Sequence, residues 1–358
     1  MPLCPTVPDI TIPGLVTEDS MMRYLAWAGL VAAVMAAVMA TGQVCAADPV
    51  PVILDTDMGN DIDDPFALAV LHGLADRGEC TILAVTSSKP HPLSAPMCEA
   101  INTAYGRPDI PVGAIRSKTP TGDGPYMVKV LGADVREKFP HKLKNGKDAP
   151  EAVSLLRKTL AGQADRSVVL VCIGFSTNMA ALLKSPGDEA SKLDGRSLVE
   201  KKVARLVMMA GKFFEATPEY NVEMDVASAQ AVFADWPTPV ILSPSEVGFR
   251  LQYPGEPKFE APCSAEAKRL MMAIDVATFG RPNGFPGWDL SAVLYAVRPE
   301  HKYFKLSKPG TVGVDEKGVT TLKPADDGRH SYLIVDPDRG AAVKAAYREL
   351  AEQKPAKR

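Results

Sequence analysis

The chain has 358 residues, of which 46% are hydrophobic and 23% are charged. This composition is typical of globular proteins and excludes collagen-like and largely disordered chains. The formal net charge is −3, so the basic excess that nucleic-acid binding requires is missing, and we expect no nucleic-acid partner.

An uncharged apolar segment lies near the N-terminus, at residues 25–40. It is shorter than the ~20 apolar residues that span a bilayer, and the small-x-small sequence at 44–46 follows it. Both features are typical of a signal peptide, which we place at about residues 21–47 with cleavage near Ala46 or Ala47. The alternatives are a lipoprotein with lipidation at Cys45, which the larger Val44 before it disfavours, and a single anchoring helix.

The predicted cleavage defines the organisation of the chain. Residues 1–47 form an upstream extension plus signal peptide, and residues 48–358 form one mature α/β domain. We expect export to the periplasm or the medium, with no stable membrane association after cleavage. The mature chain keeps four of the six cysteines, none with the paired spacing of a zinc site: Cys80, Cys98, Cys172 and Cys263.

The mature chain alternates short apolar runs with segments of helical periodicity. The runs predict strands at 50–54, 81–86, 111–114, 167–173, 203–209 and 239–242. Helices are predicted at 64–76, 96–105, 149–161, from 177 onward and at 225–235, and a long surface loop at 116–148. This alternation indicates a single open, mostly parallel sheet with helices on both faces.

The pattern changes after residue 291. Short strands are predicted at 302–305, 310–314, 319–322 and 331–335, and an amphipathic helix at 335–353. We interpret these strands as a small C-terminal β elaboration of the α/β domain.

An acidic loop follows the first predicted strand. Its five carboxylates are Asp55, Asp57, Asp61, Asp63 and Asp64. Open α/β sheets bind ligands at the carboxyl ends of their strands, and like charges this close together need a cation. Carboxylates are hard ligands suited to calcium or magnesium, and Gly59 permits a tight turn around one ion. Helix capping would account for Asp63 and Asp64 only.

Three kinds of metal site fit an acidic loop. An EF-hand is disfavoured because its twelfth position, counted from Asp55, is Phe66 instead of glutamate, and because a strand precedes the loop. A phosphoryl-transfer enzyme with an aspartyl nucleophile and a calcium-dependent hydrolase acting on sugars both remain open.

The sequence VILDTDMGNDIDDPFALAVLH at residues 52–72 resembles the signature of the nucleoside hydrolases, the inosine-uridine-preferring superfamily. Three further segments are similar to segments of that family, in the same order. They are Ile-Gly-Phe-Ser-Thr-Asn at 173–178, Glu-Tyr-Asn at 219–221, and Trp-Asp at 288–289. The resemblance implies the α/β fold of that family and hydrolysis of the N-glycosidic bond of ribonucleosides or related ribosides.

The resemblance also implies a calcium ion and its ligands. By similarity the ligands are Asp57, Asp64, the main-chain carbonyl of Ile173, and Asp289. Asp57 would activate a calcium-bound water as general base. The remaining acids of the loop, Asp55, Asp61 and Asp63, would support the metal or share its ligation.

By the same similarity, a second set of residues would bind substrate: Asn60, Glu219, Asn221 and Trp288. Asn178 would shape the site at the entry of a helix. The expected partner is a small nucleoside or riboside, and a homo-oligomer is possible because members of the family are often dimeric or tetrameric.

Three departures from the family pattern bear on the substrate. The loop carries two additional residues after Gly59, and the sequence at 212–214 replaces an expected asparagine. Trp288 stands where studied members have a histidine that protonates the departing base. Of the histidines, His91 is the most plausible one for the pocket, although a solvated loop histidine is the favoured interpretation of this position. The alternative functions are a non-catalytic calcium- and ribose-binding protein of the same fold and a magnesium-dependent phosphatase.

Overall fold

The structure is a computed structural model that describes Met22, Trp27 and residues 48–59, 61–117, 124–132, 139–255, 265–278 and 284–353. The chain divides into two units, Met1–Ala47 and Asp48–Arg358. Of the first unit only Met22 and Trp27 are described, and both are helical and exposed. The predicted signal peptide and its cleavage otherwise lie outside the described residues and remain predictions.

The second unit contains a ten-stranded sheet. Its strands are β1 Val50–Thr56, β2 Cys80–Ser87, β3 Val112–Ala114, β4 Val168–Cys172, β5 Val203–Met209, β6 Val240–Ser243, β7 Phe304–Leu306, β8 Gly310–Val314, β9 Thr320–Pro324 and β10 His330–Val335. The strand order is β3-β2-β1-β4-β5-β6-β10-β8-β9, and β7 pairs with β10. The first six strands and β10 pair in parallel, whereas the pairings of β7, β8 and β9 are antiparallel.

Helices lie between the parallel strands and after the last one. They are α1 Asp63–Asp76, α2 Ser94–Ala104, α3 Pro125–Leu131, α4 Ala152–Ala161, α5 Thr177–Lys184, α6 Gly195–Lys202, α7 Tyr220–Met224, α8 Val226–Asp235, α9 Ser245–Arg250, α10 Ala265–Thr278, α11 Trp288–Val297 and α12 Gly340–Ala351. Among the residues that the structure describes, no helix is both long and apolar enough to cross a bilayer.

The central parallel strands are buried on both faces, as their apolar runs predict. Successive side chains of a strand point to opposite faces, so Val52 and Leu54 join one hydrophobic cluster while Ile53 joins the other. The mostly parallel, helix-covered sheet predicted from the sequence is confirmed.

Two details of the sequence prediction are wrong. The segment 116–148 is not only a surface loop, because α3 lies within it and buries Tyr126 and Met127 beside the acidic loop. The C-terminal helix begins at Gly340 instead of residue 335, because β10 continues to Val335 and a short 3₁₀ turn, Pro337–Arg339, follows. Residues 118–123 and 133–138 lie outside the described part of this segment.

The C-terminal strands extend the main sheet instead of forming a separate layer. β10 pairs in parallel with β6, so that His330, Ser331 and Tyr332 continue the central sheet. Because β1, β4, β5 and β6 are parallel, their carboxyl ends meet at one edge. The order reverses at β1, where β2 and β4 flank it, and open α/β folds place ligand sites at such a point.

Candidate functional site

A cavity of about 340 Å³ opens at the carboxyl edge of the sheet. The loops that follow β1, β4, β5 and β6 all contribute to its wall, as the topology requires. Its lining residues are Asp57, Asp61, Asp63, Asp64, Ile173, Met209, Lys212, Pro218, Glu219, Tyr220, Asn221, Ser245, Phe249, Trp288 and Asp289. The four segments singled out in the sequence therefore meet in one place.

Three buried carboxylates form a cluster in this wall: Asp63, Asp64 and Asp289. One oxygen from each lies within 4.8 Å of the others, a spacing that suits a shared metal ion. Asp63 and Asp64 occupy the first turn of α1, and Asp289 occupies the first turn of α11. The positive ends of two helix dipoles therefore lie next to the cluster and reduce the cost of its negative charge.

Hydrogen bonds fix the orientation of the cluster. The Thr56 hydroxyl donates to Oδ1 of Asp64, and the Asp289 amide donates to Oδ2 of Asp63 at 3.4 Å. The Met58 amide in turn donates to the Thr56 hydroxyl at 3.1 Å. The end of β1 is thereby tied to the start of α1, which brings the two acids of α1 to face the start of α11.

Burial and crowding raise the pKa of each acid in the cluster. Burial is the largest cause for all three. For Asp64 the next causes are the charges of Asp57 and Asp63, and for Asp289 they are the charges of Asp63 and Asp64. For Asp63 the charge of Asp61 comes second. Three buried, mutually repelling carboxylates are the donor set that a hard divalent cation satisfies, so the residues present fit a metal.

The raised pKa values predict a pH-dependent stability for the metal-free protein. Folded Asp63, Asp64 and Asp289 keep protons that the unfolded chain loses near the ordinary value of 3.8. The free energy of unfolding therefore falls as the pH rises above that value. In EDTA we expect the Tm to be lower at about pH 8 than at about pH 5.

Adding a divalent cation is the companion measurement. A ligand at 100 times its Kd adds ~2.7 kcal/mol to the free energy of unfolding, and ionised carboxylates bind it best. The Tm increase caused by calcium is therefore expected to be larger at about pH 8 than at about pH 5. If the Tm in EDTA were higher at about pH 8 than at about pH 5, the three carboxylates would not be buried without a compensating positive charge, and the assignment would be contradicted.

Asp57 and Asp61 lie in the same cavity, but outside the three-acid cluster. Asp57 is buried at the end of β1, where its charge raises the pKa of Asp64. Asp61 is only partly buried, and one of its oxygens accepts a hydrogen bond from the Ile62 amide at 2.9 Å. Both line the cavity in which the sequence predicts a metal site, and their role as ligands stays a prediction.

Asp55 does not line the cavity. Oδ1 accepts hydrogen bonds from the Thr86 hydroxyl at 2.5 Å and from the Asn178 amide at 2.7 Å. Burial raises the pKa of Asp55 to about 7 despite these bonds. Its contacts join β1 to β2 and to the start of α5. Asp55 and Asn178 therefore hold together the elements that carry the cavity wall, without lining the cavity themselves.

Glu219 and Asn221 form a polar pair in the cavity wall, and hydrogen bonds to backbone groups hold both side chains. Glu219 accepts from the amides of Gly211, Asn221 and Val222 at 3.2, 2.9 and 3.3 Å. Burial raises the pKa of Glu219 to about 7. Asn221 donates to the carbonyl of Ile173 at 3.0 Å, so the predicted carbonyl ligand also has a hydrogen-bond partner.

Trp288 forms an aromatic part of the wall. Its indole N–H donates to the carbonyl of Ser245 at 3.1 Å, and the Phe249 ring meets it edge-on at 5.1 Å. A Cβ atom at Gly248 would overlap the indole Cδ1 and Cγ, so the glycine is what lets helix α9 approach the ring. The Trp288 ring is therefore fixed on the same turn that carries Asp289.

Several lining residues were not expected from the sequence, and His91 lies in its loop outside the cavity wall. Ser245 and Phe249 follow β6, and the rule that ligands bind at carboxyl ends of parallel strands would have found them. His91 does not line the cavity, and its Nδ1 accepts from the Leu93 amide at 3.1 Å. Asn60, the remaining predicted substrate residue, lies outside the described residues.

Comparison with protein families gives one match over most of the chain. The sequence model described as inosine-uridine preferring nucleoside hydrolase matches residues 52–356, a span that includes every segment of the cavity wall. Comparison with the curated proteins gives no match.

Solved structures are similar to this chain over most of its length. An inosine-uridine preferring nucleoside hydrolase from Bacillus anthracis has 17% identity and a TM-score of 0.61, covering 85% of this chain and 99% of its own. A purine-preferring ribonucleoside hydrolase from Gardnerella vaginalis has 18% identity and a TM-score of 0.61, covering 84% and 99%. A plant nucleoside hydrolase has 18% identity and a TM-score of 0.60, covering 85% and 99%. At these identities the likeness establishes the fold.

Proposed function

The chain belongs to the inosine-uridine preferring nucleoside hydrolase family and is a hydrolase of N-glycosyl compounds, and from this premise we propose that it cleaves ribosides in a calcium-dependent reaction. The observation that carries the proposal is the meeting of a buried carboxylate cluster with Glu219 and Asn221 in a single cavity. One wall supplies hard ligands for a cation, and the other supplies polar groups for sugar hydroxyls.

Asp57, Asp63, Asp64 and Asp289 would hold the ion, together with the carbonyl of Ile173. Calcium, when bound there, supplies positive charge that acidifies water and holds vicinal hydroxyls. Asp57 accepts the proton of the attacking water as that water bonds to the anomeric carbon. The remaining carboxylates stabilise the positive, oxocarbenium-like sugar of the transition state.

Glu219 and Asn221 account for selection of the sugar in this proposal. Three backbone amides hold the carboxylate of Glu219, and the side chain of Asn221 is tied to the ends of β4 and β5. Polar groups fixed in this way reject a sugar that lacks the matching hydroxyl far more strongly than an apolar wall does. We therefore expect 2′-deoxyribosides to be poor substrates.

Release of free ribose from a panel of ribosides, with calcium and with EDTA, tests the proposal. The panel includes 4-nitrophenyl riboside, whose leaving group needs no proton from the protein. We expect turnover with calcium, loss of turnover in EDTA, and recovery when calcium is restored. Ribose binding by titration calorimetry without turnover of any riboside would instead identify a non-catalytic binding protein.

The cellular location of the enzyme is part of the same proposal. Residues 21–47 would direct export, and the mature enzyme would act in the periplasm or the medium on ribosides that reach the cell. The N-terminal sequence of the protein recovered from cells decides this point, since a mature N-terminus near residue 47 is expected and an intact residue 1 would contradict it.

A further inference from the structure

We propose that the preferred substrates are ribosides whose base is positively charged before cleavage, such as N-alkylated purines or pyridinium ribosides. This inference rests on the proposed function and specifies its substrate class. It starts from a chemical difficulty: a neutral base leaves as an anion and needs a proton, whereas a cationic base leaves neutral. Among the residues that the structure describes, the cavity wall contains no histidine that could donate this proton.

The histidines of the chain cannot supply the proton. All five are among the described residues, and none lines the cavity. His72 contacts Asn102 at 2.9 Å in the core, and His91 accepts from the amide of Leu93. Histidine is the side chain best suited to donate a proton near neutral pH.

Three other proton-bearing groups of the described cavity wall, those of Glu219, Lys212 and Trp288, are engaged elsewhere. Both oxygens of Glu219 accept hydrogen bonds from backbone amides, and the proposed function assigns the same carboxylate to the sugar hydroxyls. The Lys212 ammonium contacts Glu215 at 2.6 Å and the Thr217 hydroxyl at 2.9 Å. The indole N–H of Trp288 donates to Ser245, and an indole does not transfer its proton in this range.

The charge of the cavity favours a cation. Its wall carries six carboxylates, Asp57, Asp61, Asp63, Asp64, Glu219 and Asp289, against the single ammonium of Lys212. A divalent ion leaves this balance negative. Because a cleft with one sign of charge concentrates ligands of the opposite sign, a cationic riboside is drawn into the cavity more strongly than a neutral one.

The aromatic wall gives the cationic base a place to bind. Trp288, Phe249 and Tyr220 line the cavity, and Phe249 and Tyr220 are 55% and 43% exposed, as expected of residues at a mouth. The Trp288 ring is held by Ser245 and by the close approach of Gly248. A cation over an aromatic face gains ~0.5–2 kcal/mol, and Trp is the best of the aromatic partners.

The chemical step balances without an acid. The water oxygen bonds to the anomeric carbon while the carbon–nitrogen bond breaks. The electron pair of that bond neutralises the charged ring of the base. Asp57 takes the proton of the water, so that the products are ribose, a neutral base and one proton.

Guanosine and 7-methylguanosine form the matched pair that tests the inference, because one methyl group makes the base cationic. At about pH 6 with saturating calcium, we expect kcat/KM for 7-methylguanosine to exceed that for guanosine at least ~100-fold, the size of a missing general acid. Cleavage of 4-nitrophenyl riboside shows independently that the proposed hydrolase reaction occurs.

Variants separate the two parts of the inference. Trp288→His introduces a proton donor and should raise kcat for guanosine. The ratio of kcat/KM for 7-methylguanosine to kcat/KM for guanosine should therefore become smaller. Trp288→Leu should raise KM for 7-methylguanosine about tenfold through loss of the cation–π contact. Phe214→Leu is the control, because this exposed ring packs edge-on against Tyr332 outside the cavity wall and its loss should change neither constant.

Equal kcat/KM values for guanosine and 7-methylguanosine would overturn the inference while leaving the proposed function intact. Loss of guanosine turnover alone in Tyr220→Phe would also overturn it, by identifying the Tyr220 phenol as the acid. Failure to cleave any riboside, including 4-nitrophenyl riboside, would overturn the proposed function and this inference together.

Discussion

Replacing Asp57 with asparagine should lower kcat for riboside hydrolysis by on the order of 10³-fold, within the range that a general base contributes. Asparagine keeps the shape of the side chain but cannot accept the proton of the attacking water. Asp57 is buried at the end of β1, and its charge raises the pKa of its neighbours. Removing that charge should therefore leave the Tm of the metal-free protein unchanged or slightly higher.

Steady-state kinetics with 4-nitrophenyl riboside and thermal unfolding in EDTA together check this prediction. Asp235→Asn is the matched control, because it removes one carboxylate from an exposed position at the end of α8. An Asp57→Asn protein that keeps more than a tenth of the wild-type kcat would show that another group takes the proton. A fall in Tm alongside the loss of activity would show that Asp57 has a structural role instead.

Replacing Asp289 with alanine should weaken calcium binding by about 100-fold, corresponding to loss of ~3 kcal/mol from one buried charge contact. Asp289 is the member of the cluster that comes from a second helix. Its loss therefore removes the only carboxylate on that side of the cluster as well as one negative charge. Repulsion among the remaining acids falls at the same time. The Tm in EDTA should therefore stay level or rise, while the Tm increase caused by calcium shrinks.

Calcium titration calorimetry and the calcium-dependent Tm shift measure the two effects separately. Asp289→Asn is the comparison variant, because it keeps an oxygen ligand and the side-chain volume and should fall between wild type and Asp289→Ala. Unchanged calcium affinity in both variants would show that α11 does not contribute to the metal site and that the similarity of the 288–289 segment to the family misassigns this residue.

The sequence alone determined the sheet and the position of the acidic loop in it, because both depend on local patterns of residue type. A strand buried on both faces needs a continuous apolar run, and β1 and β4 have such runs. The acidic loop directly follows β1, and the topology of a parallel sheet then places it at the ligand-binding edge. Local patterns failed at 116–148, where α3 is stabilised by the contacts of Tyr126 and Met127 with the loop after β1.

Only the tertiary structure decided which carboxylates meet. Asp63 and Asp289 are 226 residues apart, and no local pattern pairs them. Asp55 and Asp57 look equivalent in sequence, yet β1 holds Asp55 against Asn178 while the chain turns after Thr56 and carries Asp57 into the cavity. The physical reason is that a site depends on where strands and helices end in space, whereas a sequence pattern specifies only which face of an element is buried.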